Sequence, residues 1–213
     1  MKKRTTVVFA LALTGAAAFG AAHAQTPAAW GTLLNGTNGL QNFEQEGNAN
    51  WRVMEDGIGA SLGNGYLVTK ESYKDFRIVA EVWTDETANS GIFIRCQDPE
   101  DIGANSCYEV NVFDNRPGQE YATGGIVNTA RVIGGPHKAA GKWNTLEIIA
   151  KGPQLAVMLN GMKTAEATDT KHGQGRVALQ YGAGTVLLWD RGRWQPKGEG
   201  DADYRKGRLK FTL

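Results

Sequence analysis

The chain has 213 residues, 23 Lys+Arg against 22 Asp+Glu and a hydrophobic fraction of 41%. This near-neutral balance leaves no electrostatic footprint for nucleic acid or an anionic membrane. The length supports one domain with a sizeable core.

The N-terminus reads as a secretory signal peptide over residues 1–24. Lys2-Lys3-Arg4 is basic, an apolar run extends from Val7 to about Ala22, and Ala22-His23-Ala24 offers small residues to a signal peptidase. The run is short, Ala-rich and interrupted by glycine, which suits a removed segment better than a spanning one. Its loss removes three of the 23 cations and none of the 22 acids, leaving 20 against 22 and a net charge of −2. No later stretch is apolar for long enough to cross a bilayer, so no membrane contact is expected after cleavage. The expected location is periplasmic or secreted.

Beyond residue 24 nearly every periodic segment has the two-residue period of a strand. Strands are predicted over 65–70, 76–84, 91–97, 108–114, 122–128, 143–151, 154–160, 163–167, 176–181 and 185–189. Asn160-Gly161 between two of them is a strong hairpin signal, because both residues tolerate positive φ. No window of helical length carries an apolar stripe. With 28 glycines and many short strands, the fold class is all-β: a two-sheet antiparallel sandwich. Two loops, 115–121 and the Gly-rich 130–142, are long enough to carry binding residues at one rim.

The chemistry concentrates in two of these strands. Asn89-Ser90-Gly91-Ile92-Phe93-Ile94-Arg95 and Tyr108-Glu109-Val110-Asn111-Val112-Phe113-Asp114 each alternate aliphatic with polar or aromatic groups. Parity puts Glu109 with Asn111, and Arg95 with Phe93 and Gly91. Adjacent strands facing one way would bring a guanidinium, a carboxylate, an amide and an aromatic ring together, a set suited to sugars. Gln180 alternates with Val177, Leu179 and Tyr181 and joins the polar face. Trp83 and Phe93 are candidates for stacking on a sugar ring, although aromatic residues in sheets are more often core. Asp114 is offset by five from Glu109, so a carboxylate pair requires a bulge or turn; it is placed with the binding residues. His137, in Gly134-Gly135-Pro136-His137, joins them.

Cys96 and Cys107 are the only cysteines, and an oxidising compartment favours a disulfide between them. Parity opposes it: if Arg95 and Glu109 share a face, Cys96 points away and Cys107 toward it. The bond requires Cys107 in the loop or a neighbouring bulge; otherwise both are small unpaired hydrophobes. No pattern suits a serine nucleophile, a phosphate loop or a zinc cage, and no cofactor is expected. A calcium site of Asp and backbone oxygens leaves no linear signature outside the loop motifs, so Ca2+ stays open.

Several segments resemble one family in order and spacing. They are Leu33-Leu34-Asn35-Gly36, Trp51-Arg52-Val53, Tyr73-Lys74-Asp75-Phe76, Asn89 to Arg95, Tyr108-Glu109-Val110-Asn111 with Asp114, Thr123-Gly124, Gly141-Lys142-Trp143-Asn144, Asn160-Gly161 and Gly175 to Gln180. The family is the 3-keto-disaccharide hydrolase domain, a branch of the concanavalin A-like lectin/glucanase superfamily. The family often has Gln at Asn111 and His at Tyr181, and it usually ends soon after a strand matching 185–189. The domain is therefore placed at 25–189, with 190–213 as an atypical extension.

The resemblance implies a concanavalin A-like jelly roll that binds carbohydrate on a concave sheet face. It implies an enzyme cleaving 3-keto glycosides or disaccharides, with Glu109 as acid or base and Arg95 as stabiliser of an enolate. A lectin-like binding domain and a conventional glycoside hydrolase are the alternatives.

Overall fold

A computed structural model describes residues 31–34, 39–54, 57–189 and 209–212. The expected signal peptide lies outside them. In chain order the strands are β1 (Gly31–Leu34), β2 (Phe43–Gly47), β3 (Arg52–Met54), β4 (Gly57–Ala60), β5 (Gly65–Thr69), β6 (Phe76–Thr84) and β7 (Asn89–Cys96). They continue as β8 (Tyr108–Val112), β9 (Trp143–Lys151), β10 (Gln154–Leu159), β11 (Met162–Thr168), β12 (Arg176–Ala183), β13 (Val186–Trp189) and β14 (Leu209–Thr212).

These strands form two antiparallel sheets. The larger has nine strands in the order β11-β10-β9-β6-β13-β4-β3, with β14 also on β6 and β1 on β14. The smaller has five, ordered β2-β5-β12-β7-β8. The sandwich follows from alternation. In β6, Phe76, Ile78, Ala80 and Val82 are buried, and in β9 Leu146, Ile148 and Ala150 are. They meet Ile92, Ile94, Tyr108, Val110, Val112, Val177 and Leu179 of the smaller sheet in one core. Each fully buried aliphatic side chain contributes roughly 1.5–3 kcal/mol. The hairpin β10–β11 turns at Asn160 (φ 53°) and Gly161 (φ 80°), the two positive φ values that a type I′ turn requires.

Two expectations fail here. Residues 122–128 form no strand: Gly124, at φ 86°, turns the chain beneath Thr164. The segment still covers the free edge of β8, since Gly124 N donates to Asn111 O (2.9 Å), Asn111 N to Gly125 O (3.0 Å) and Val127 N to Glu109 O (2.9 Å). The fold also does not end at Trp189, because β14 pairs with β1 and β6.

Candidate carbohydrate site

Register lines up the outer face of the five-stranded sheet in two rows. One row runs Glu46–Tyr66–Gln180–Gly91–Asn111 and the next Glu44–Val68–Ala178–Phe93–Glu109. Glu109, Asn111, Gln180 and Phe93 therefore share a face, as their parity suggests. Gly91 keeps the middle of the first row low: a Cβ there would lie 3.0 Å from Val110 O and 3.5 Å from Gln180 Oε1.

Glu109 is 9% exposed. Burial raises its carboxyl pKa above the ordinary value, and the charge of Arg116 pulls the other way. Arg116 follows β8 in the loop 115–121 and is held by backbone: its N–H donates to Phe113 O (3.4 Å) and its carbonyl accepts from Gln119 Nε2 (2.6 Å). Its Nε is buried and has no hydrogen-bond partner.

Tyr66 stands on the same face, half-buried, with its ring edge against Phe93 (centroids 5.4 Å, 85°). Burial raises its hydroxyl pKa most, the Gln180 amide lowers it, and the Glu109 charge raises it. Gln180 Oε1 and Asn111 Oδ1, on either side of Gly91, are buried acceptors without a donor. Asn111 is wholly buried, and its Nδ2 donates to Tyr121 O at 2.7 Å. It fixes the neighbouring loop as well as flooring the site.

Arg95 does not join this face. It sits at φ 53° in a bulge, where the β12 step from Arg176 to Ala178 spans Cys96 to Phe93 on β7. The left-handed residue turns the guanidinium toward the end of the sandwich. There Nε donates to Lys74 O (2.8 Å), Nη1 to Gly152 O (2.8 Å) and His172 O (3.2 Å), and Nη2 to Asp75 (3.3 Å). At 1% exposure it is a structural tie. The same bulge returns Cys96 to the outer face, where it is bonded to Cys107 beside Phe93 and Ala178. The parity objection to the disulfide is removed by a bulge on β7.

Three other candidates lie elsewhere or serve the frame. The Asp114 carboxylate accepts from Thr123 Oγ1 (2.6 Å), Ala139 N (2.9 Å) and Ala140 N (2.9 Å), tying both long loops together. Trp83 is on β6 of the other sheet, in register with Trp143. His137 bonds Ile133 O at 3.0 Å within its own loop. Phe93 is on the right face but only 2% exposed, so it supports Tyr66 and offers no ring face for stacking.

Within its two rows Glu109 is the one carboxylate on this side of the sheet. The other carboxylates in the two rows, Glu44 and Glu46, are on β2, four strand spacings of about 4.8 Å away. The carboxyl pair of a conventional glycosidase stands about 5–9.5 Å apart. Among the described residues no group of three or more His, Cys, Asp or Glu is placed to hold a metal ion. No helix among them is long and apolar enough to cross a membrane.

Sequence-based reasoning missed Arg116 and Tyr66. Arg116 belongs to a loop without periodicity. Tyr66 lies in a predicted strand, but its pairing with Gln180 has no local signature.

The 3-keto-alpha-glucoside-1,2-lyase-like domain family matches residues 29–208. The chain belongs to this family. The match runs past Trp189, through most of the segment expected to be an extension. A comparison with curated protein sequences finds no match.

Among solved structures, the chain is similar to a Parabacteroides distasonis protein titled "Putative glycosyl hydrolase" (TM-score 0.63, 22% identity, 76% of this chain and 96% of that one). It is also similar to the carbohydrate-binding module CBM66 from Bacillus subtilis (0.52, 16%, 76% and 93%). A Bacillus licheniformis beta-glucanase is similar as well (0.54, 12%, 89% and 99%). At these identities the likeness establishes the fold, a concanavalin A-like jelly roll.

Proposed function

We propose that this family member is an exported enzyme, periplasmic or secreted, that cleaves 3-keto glycosides or disaccharides by elimination, with Glu109 as the base. A ketone at C3 acidifies the proton at C2. Glu109 takes that proton, the electrons form an enolate, and the enolate expels the C1 substituent with the C1–O bond pair. Water adding across the new double bond completes a net hydrolysis. Arg116, not Arg95, is the cation able to stabilise the enolate oxygen.

One observation carries the reading: Glu109 is a nearly buried carboxylate on this face, its pKa raised by burial and opposed by the charge of Arg116, and the other carboxylates of its rows stand four strands away. An elimination needs one base at carbon; a conventional glycosidase needs two carboxyl groups. The family match supports the 3-keto substrate class.

The test is to incubate the mature protein with an ordinary glucoside and with its 3-keto form and follow aglycone release. Cleavage of the keto form alone is expected. Cleavage of the plain glucoside contradicts the reading, and binding without cleavage of either makes the protein a carbohydrate-binding domain.

A further inference from the structure

We infer that the Tyr66 hydroxyl is the group that protonates the departing glycosidic oxygen. The inference rests on the elimination proposed above and supplies the acid that it lacks.

Tyr66 is in the row beside that of Glu109, three strands across the same face. Three strand spacings amount to about 14 Å between backbones. The Tyr66 ring leans into that gap, packing edge-on against Phe93, the register partner of Glu109. The Glu109 charge adds to the rise in the Tyr66 pKa. Gly91 lies between them and keeps the floor clear for a ring.

Tyr66 is a half-buried phenol on this face. Gln180, its register partner, lowers the Tyr66 pKa, and Gln180 Oε1 is buried without a donor. A phenol O–H on the face that carries Glu109 suits a leaving oxygen, which gains negative charge as its bond to C1 breaks.

The step balances. The C2 hydrogen passes to Glu109 as a proton, and the C2–H pair becomes the C1–C2 double bond through the enolate. The C1–O pair leaves with the glycosidic oxygen, which takes the Tyr66 proton and departs as an alcohol. Solvent then returns a proton to Tyr66 and removes one from Glu109, so no further reactant is needed.

The test compares Tyr66→Phe with the unaltered enzyme on two 3-keto glucosides, one with a methanol and one with a 4-nitrophenol leaving group. Nitrophenolate departs without help, whereas methoxide needs an acid. The variant should lose about 100- to 10,000-fold in kcat on the methyl glycoside and stay within a few-fold on the nitrophenyl glycoside. Equal losses on both, or none on the methyl glycoside, overturn the inference while leaving the Glu109 reading intact. Failure of the unaltered enzyme on both overturns the elimination reading itself. Phe keeps the ring contact with Phe93. As a second check, 3,5-difluorotyrosine at position 66 should shift the basic limb of the methyl-glycoside pH profile to lower pH. An unmoved limb overturns the inference.

Discussion

Arg95 and Glu109 belong to hydrogen-bonded neighbouring strands, yet one residue in the left-handed region sends their side chains to different parts of the molecule. Glu109 faces the open side of the five-stranded sheet. Arg95 is tied to three backbone carbonyls and Asp75 at the end of the sandwich. A charged hydrogen bond contributes about 1.5–3 kcal/mol, and each orphaned buried acceptor costs a similar amount. Arg95→Ala should therefore lower unfolding free energy by on the order of 3 kcal/mol or more in denaturant titration. Arg95→Lys should recover only part of it, because an ammonium cannot reproduce the planar fork. A stable, inactive Arg95→Ala would instead make Arg95 a site residue.

The Cys96–Cys107 bridge closes a short loop, with a sequence separation of 11. Chain entropy assigns such a loop about 3 kcal/mol. Unreduced protein denatured in urea should expose no reactive thiol, and reduction should lower the denaturation midpoint. Two labelled thiols in unreduced, exported protein would show that the bond does not form.

How much of this was legible follows from where the information lies. Long strands such as β6 and β9 bury alternate aliphatics, so their period is written in the chain. The short edge strands β2 (Phe-Glu-Gln-Glu-Gly) and β3 (Arg-Val-Met) carry no such pattern. Glu109, Asn111 and Gln180 were placed on one polar face because parity is local. Nothing in Ile94-Arg95-Cys96 announces a non-glycine residue at positive φ, so parity alone puts Arg95 on the wrong face. Arg116 depends on how a loop folds back, and Tyr66 on which strands become neighbours, both tertiary facts.

Asp114 holds the loop that carries Arg116. Asp114→Ala leaves the Thr123 hydroxyl and the amides of Ala139 and Ala140 without their acceptor, a loss on the order of 2 kcal/mol. Amide exchange should accelerate over residues 115–123 and 138–142, and KM should rise with the loop's freedom. Unchanged exchange there would leave Asp114 without a bracing role.

The pH profile should report the electrostatics of Glu109. Burial raises its pKa, and the base is active only when ionised, so activity is present above this pKa and lost as pH falls through it. The acid limb of kcat/KM should lie above about 4.3, the value of an unperturbed Glu. Arg116 opposes the rise, so Arg116→Ala should move the limb to higher pH as well as reduce kcat. A limb that moves down, or stays fixed, would separate the two residues.

The decisive measurement follows the C2 proton of a 3-keto glucoside in D2O, by NMR, with the unaltered enzyme and with Glu109→Gln. Glutamine preserves shape and polarity but cannot accept the proton. The unaltered enzyme should release aglycone and exchange or lose the C2 hydrogen. Glu109→Gln should slow both by about 100- to 10,000-fold without lowering the melting temperature. Turnover by Glu109→Gln near that of the unaltered enzyme, or aglycone release with the C2 hydrogen retained, would contradict elimination with Glu109 as the base.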